Sequence, residues 1–192
     1  MSAAATPAVK LEMTTIVVGV ADCRTSADPG STIATYALGS CIAVAVHDPV
    51  ARVGGLLHFM LPESNLDRAK AEQNPSMFAD TGIPLLLSQI GVQGACRKRL
   101  VVQLAGGAQM MDGEGVFNIG KRNLLAARKI LWQSGMIVRC EAVGGIVSRT
   151  VKLEVATGRF WLREAGSPER ELLPQRAAGK EGGNGLQRFD RG

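Results

Sequence analysis

Two residues within the stretch 34–62, ATYALGSCIAVAVHDPVARVGGLLHFMLP, have the types and spacing to do chemistry together: Cys41 and His58. The run 41–47 alternates and is dense in β-branched and small apolar residues. The run 53–60 is apolar again, and Asp48-Pro49 between them is a turn signal. Paired as an antiparallel hairpin with its turn centred near Pro49 and Val50, the two runs set Cys41 directly across from His58, with Cβ atoms about 4.5–5.5 Å apart. A free thiol is mostly protonated at neutral pH, and a facing imidazole can take the proton and leave a nucleophilic thiolate. Imidazolium would then stabilise the thiolate, which is expected below the pH of an isolated thiol. Gly39-Ser40 gives the sulfur a small-residue approach and backbone N–H groups able to face a developing oxyanion. The bland alternative is packing, since free Cys is among the most buried residue types and a lone His in an apolar strand is commonly a packed one. The pairing is sensitive to register, because a slip of one residue breaks it.

These runs need a scaffold. TTIVVGVA at 14–21 reads as a first strand, and 22–31, with Asp28-Pro29-Gly30, as a turn region. The short extended segment 32–36 delivers Thr35 to the approach of Cys41. Its hydroxyl is able to orient His58 and set the ring tautomer, although the residues alone favour a Thr that simply fills a strand position. Polar 63–74 reads as a surface loop with helical character. The spacing at 76–90 predicts a helix, either kinked at Pro84 or starting near Gly82, and RLVVQL at 99–104 is a buried strand. Gly106-Gly107 fits neither phosphate-cradling spacing. Asn118 is a candidate N-cap for a helix ended by Gly135, with Ile119, Leu124, Leu125, Ala127, Leu131 and Trp132 as its apolar face. Lys121, Arg122, Arg128 and Lys129 form its basic outer face, either solvated or a docking surface for an acidic helix. A strand at 136–143 and a hairpin of 149–155 with 160–163 follow. The expected domain spans 12–165, between a loose arm at 1–11 and a glycine-rich, disordered tail at 166–192. The element order suggests an α+β fold, a layered β core with antiparallel hairpins covered by helices.

Composition narrows the function. The 192 residues carry a net charge of +5, too modest to demand nucleic acid, and one Tyr and two Trp make no stacking platform for single strands. Arg97-Lys98-Arg99 reads as a solvated loop. Four Cys, at 23, 41, 96 and 140, form no zinc pattern, and neither metal nor cofactor is expected. No signal peptide or spanning segment is read, so a cytoplasmic protein with reduced thiols and no membrane insertion is expected.

Several motifs in order resemble the CheD family of chemoreceptor glutamine deamidases. They are LGSC at 38–41 with a following strand ending in HDP, GGLLHFMLP at 54–62, ADTGIPLLL at 79–87, LAGGAQMM at 104–111, FNIGKRN at 117–123 and VGG at 143–145. The resemblance covers about 12–163, and VGGIVSRT departs from the glycine-arginine pattern expected after VGG. It implies a fold like that of the cytotoxic necrotizing factor deamidase toxins, a catalytic pair of Cys41 and His58 assisted by Thr35, and no cofactor. It implies as substrate the cytoplasmic helical domain of methyl-accepting chemotaxis receptors, and CheC phosphatase as a further partner. The alternative function is a regulatory module that binds the receptor or CheC with little catalysis. Glutamine and glutamyl methyl ester are not separable as substrates by these residues.

Overall fold

The hairpin at 42–59 is apolar on both faces because both are covered. The computed structural model describes residues 13–109 and 118–174; the expected arm at 1–11 and the part of the expected tail beyond 174 lie outside the described residues. The strands are β1 (Thr14–Val17), β2 (Asp22–Ser26), β3 (Ser31–Leu38), β4 (Ile42–Asp48), β5 (Val53–Phe59), β6 (Val101–Gly106), β7 (Val138–Val143), β8 (Arg149–Glu154), β9 (Phe160–Glu164) and β10 (Arg170–Glu171). The helices are α1 (Arg68–Gln73), α2 (Ala79–Val92) and α3 (Ile119–Gln133). One sheet has the order β1-β3-β8-β9-β10 and the other β2-β5-β4-β6-β7. The fold is therefore α+β. One apolar cluster, with Ile33, Ala43, Ala45, Leu56, Val151 and Leu153, fills the space between the sheets. A second joins Ile42, Val44, Leu57 and Phe59 to Ile83 and Leu86 of α2 and Ala127 and Leu131 of α3. The alternation of β4 and β5 thus sends odd and even positions into two different cores. Gly54 and Gly55 serve one face each: a Cβ would lie 3.1 Å from Leu153 Cδ2 at the first and 2.7 Å from Leu86 Cδ1 at the second.

The hairpin register differs from the expected one by two residues. His58 pairs with Ala43, and the last ladder pair at that end is Ile42 with Phe59. The cause is the turn, which takes the four residues 49–52 and is organised by Asp48, whose Oδ1 accepts from the N–H groups of Val50 (2.9 Å) and Ala51 (3.2 Å). A shift of two preserves the face. Cys41 therefore lies just before β4, diagonal to His58 and on the same side of the sheet rather than opposite it.

Other differences have local causes. Asp22–Ser26, read as part of a turn region, is a polar strand on the far side of β5, pairing Asp22 with His58. α2 begins at Ala79 and runs through Pro84. Asn118 occupies the N-cap position of α3 without a capping hydrogen bond, whereas Gly135 ends that helix as expected, with Gly135 N–H donating to Trp132 O and Met136 N–H to Leu131 O. Leu125 and Trp132 point outward, 56% and 78% exposed. The tail does not start at 166: β10 pairs with β9, and Leu172 is buried in the inter-sheet core.

Candidate active site

Thr35 and His58 meet between the sheets, and Cys41 borders the same layer without a hydrogen bond from its thiol to His58. Thr35 comes from β3 of one sheet, His58 from β5 of the other, and Cys41 from the turn entering β4. Thr35 and His58 are buried and Cys41 is half-buried. Thr35 Oγ1 lies 2.8 Å from His58 Nδ1 and 2.7 Å from the carbonyl oxygen of Val18. A hydroxyl has one proton, and a carbonyl can only accept. The Thr35 proton therefore goes to Val18 O, and Oγ1 accepts from Nδ1–H of His58. That fixes the tautomer and leaves a lone pair on Nε2, which is buried with no hydrogen-bond partner among the described residues. An imidazole nitrogen with a free lone pair has the chemistry to accept a proton.

Burial sets the charge states. It pushes the His58 imidazole down to about 4. It pushes the Cys41 thiol up, with the residue's own backbone N–H pulling weakly the other way. Burial thus favours a neutral thiol and a neutral imidazole, against the low-pH thiolate expected from the sequence, and neither group is shifted by the other.

The main chain around Cys41 is closely held. Cys41 O accepts from Gly107 N–H and Gly39 O from Ala108 N–H, both at 2.8 Å. Gly106, at φ 110°, has room for no side chain, since a Cβ would lie 2.2 Å from Cys41 O. Gly120 on α3 is similarly closed, 2.5 Å from Gly107 O. The Gly-Gly pair is thus a seat for the Cys41 turn.

Comparisons with known proteins bear on the family. The family model described as CheD chemotactic sensory transduction matches residues 60–164. A protein of Solibacter usitatus named "Probable chemoreceptor glutamine deamidase CheD" is 55% identical over 172 residues, 90% of this chain and 100% of that one. One from Syntrophus aciditrophicus, "Probable chemoreceptor glutamine deamidase CheD 1", is 47% identical over 82% of this chain and 98% of its own. The chain belongs to the CheD family.

In this CheD-family chain two further residues stand at the site without having been singled out from the sequence. Asn123, fully buried on α3, donates from Nδ2 to Ser40 O (3.0 Å) and to Met60 O (2.9 Å), while its Oδ1 is buried without a partner among the described residues. Such an orphan acceptor costs on the order of 1–3 kcal/mol. Arg149, also buried, donates from Nε to Glu164 Oε1 (3.1 Å) and from Nη1 to Gly144 O (2.7 Å), tying the VGG segment to β8. An Asn inside a helix and an Arg on a strand carry no signal in the sequence beyond their position in FNIGKRN and after VGG. Of the other thiols, Cys23 is pushed up to about 12, mainly by burial, and Cys140 is also raised by burial. Among the described residues no cluster of His, Cys, Asp and Glu could hold a metal.

Proposed function

We propose that this chain is a protein-glutamine deamidase acting on chemotaxis receptors, with Cys41 as nucleophile, His58 as acid and base, and Thr35 as the residue that orients His58. The observation that carries the reading is the free Nε2 of His58, its tautomer fixed from behind by Thr35, on the sheet face that Cys41 shares. The names of the two relatives supply the substrate class.

Both partners start neutral. As Sγ attacks the carboxamide carbon of a receptor glutamine, Nε2 takes the thiol proton, so charge develops only along the reaction path. The tetrahedral oxyanion collapses, the C–N bond breaks, and the imidazolium returns the proton to the departing ammonia. Water, giving its proton to Nε2, then attacks the thioester; the C–S bond breaks, the thiol is re-formed and the product is glutamate. New carboxylates alter the charge of the receptor's helical bundle and its capacity for methylation, a role in adaptation. The site acts from the cytoplasmic side, where the receptor's helical domain lies; no helix among the described residues is long and apolar enough to cross a membrane.

A docking role for receptor or CheC has an observation of its own. The outer face of α3 presents Lys121, Arg122, Leu125, Arg128, Lys129 and Trp132 in helical succession, large apolar groups among cations, which suits an acidic amphipathic helix. Mass spectrometry of receptor peptides tests the catalytic reading: wild type should add about 1 Da at specific glutamines, the replacement of NH₂ by OH, and Cys41→Ala should not. Unmodified receptor after incubation with wild type, alongside retained receptor binding, would favour the docking module.

A further inference from the structure

We infer that Asn123 is a positioning residue for the Cys41–His58 pair, holding the nucleophile's turn against the base's strand. The inference rests on the reading of that pair given above. The β4–β5 ladder ends at Ile42 and Phe59, so the next residues toward the site, Cys41 and Met60, have no place in it. There the single amide of Asn123 takes over. One N–H goes to the carbonyl before Cys41 and the other to the carbonyl two residues after His58. Both acceptors are carbonyls, so only the NH₂ group can face them. The orientation leaves Oδ1 buried and unpartnered, a cost that an apolar residue of similar size would avoid. What an apolar residue cannot do is join those two strands. The clamp reaches them because α3 lies close against the Gly107–Ala108 segment that seats the Cys41 turn, so close that Gly120, one turn earlier, has no space for a Cβ. Gly107 N–H, just after β6, holds Cys41 O, so the nucleophile's main chain is gripped both by the end of β6 and by α3. Removing one grip lets the sulfur wander, and a misplacement of about 1 Å is enough to cost roughly 100-fold in rate.

The test uses the full chain with Asn123→Leu and Asn123→Asp, each with and without His58→Ala. Turnover of a receptor cytoplasmic fragment, iodoacetamide alkylation of Cys41 read by peptide mass spectrometry, and Tm are followed from pH 5 to 8. In the wild-type background His58→Ala should slow alkylation severalfold, because the thiol loses its base. In the Asn123→Leu background the same replacement should change alkylation less than about twofold, and kcat should fall about 10–100-fold with KM nearly unchanged. Asn123→Asp supplies the pH signature. A buried carboxyl facing two carbonyls has its pKa raised, so at pH 5 it is protonated and keeps one donor, and toward pH 8 it ionises and repels both. Its kcat should therefore fall as pH rises, against a nearly flat wild-type profile, and this series decides the matter if Asn123→Leu does not fold. A folded Asn123→Leu with kcat within twofold of wild type, or His58→Ala effects that are equal in both backgrounds, would overturn the inference and leave Asn123 a packing residue. Alkylation needs no receptor, so wild type that shows His58-dependent alkylation without deamidation would unseat the receptor reading alone, with Asn123 still judged by its alkylation cycle.

Discussion

The chain has two histidines, and they sit at opposite ends of one hairpin. Both are buried, both sit on the sheet face turned to the inter-sheet layer, and burial lowers the pKa of both. They differ in what their nitrogens meet. His47 Nε2 lies 2.9 Å from Val155 O, so it must carry the proton, and Nδ1 is packed against Gly158, where a Cβ would lie 2.3 Å away. His58 holds its proton on the other nitrogen, donates it to Thr35, and keeps Nε2 free. One ring fastens the sheets together; the other, in the function proposed above, is the one left able to accept a proton. On that proposal the same residue type in the same layer becomes structural or reactive according to whether its second nitrogen already has a partner.

The largest effect that sharpens this contrast is at the sulfur. Cys41→Ala should reduce deamidation by at least ~10³-fold, whereas Cys23→Ala, Cys96→Ala and Cys140→Ala should stay near wild type in ammonia release from a receptor fragment. Full activity in Cys41→Ala would remove the partner that makes His58 different from His47.

Next come the histidines themselves. His58→Gln should lower kcat about 10²–10⁴-fold while leaving Tm close to wild type. His47→Leu should do the reverse. Val155 O loses its donor, which costs roughly 1–3 kcal/mol and lowers Tm by several degrees, with kcat of the folded protein unchanged. Equal losses of turnover at the two positions would show that the free nitrogen is not what matters.

Thr35→Val is a smaller, sharper cut. It keeps the shape but leaves Nδ1–H without an acceptor, so the ring is free to turn or change tautomer. A fall of about 10–100-fold in kcat is expected, with Thr35→Ser restoring most of it. Thr35→Val at wild-type kcat would mean that packing alone orients His58.

How much of this was legible in the residues follows from where each signal resides. The two runs and the turn at Asp48 stand in alternation and turn chemistry, which are local. The proposal of Cys41 and His58 came from the hairpin they flank, and that of Thr35 from the family resemblance. The register was not local: it depended on a four-residue turn held by Asp48, whose carboxylate is also engaged by Cys96 N–H and the Arg99 guanidinium, about fifty residues on. Asp22–Ser26 is polar, and only its pairing with β5 makes it a strand. Leu125 and Trp132 fit a helical spacing as inward residues, yet α3 turns its Asn123 and Ala127 side to the sheet. Asn123 was invisible because one polar residue in a helix looks like surface until the carbonyls it bonds are placed beside it.

The smallest expected change is the one in turnover with pH, and it separates the histidines most cleanly. An ordinary imidazole, with a pKa near ~6.5, would be only about 3% neutral at pH 5 and activity would fall roughly 30-fold from its plateau. With His58 held down to about 4, its base form persists, so kcat of the folded enzyme should drop by only about a tenth between pH 7 and pH 5. Stability behaves differently. In the unfolded chain both histidines bind protons below ~6.5, while in the native state they resist them, so the unfolded state holds more protons in that window. Stability should therefore be fullest above ~6.5 and decline as pH falls, for His58 down to about 4. Asp48 adds to the loss further down: Arg99 holds its carboxyl well below the usual range, so its contribution is present above ~3.9 and fades only as pH drops through the folded value. Tm should slope downward from pH 6.5 to 5 while turnover stays nearly flat. His47→Leu should remove part of that slope and leave the turnover curve where it was. A turnover midpoint near 6.5 would show that His58 takes up protons as an exposed histidine does, and that its free nitrogen is solvated rather than kept dry for the thiol.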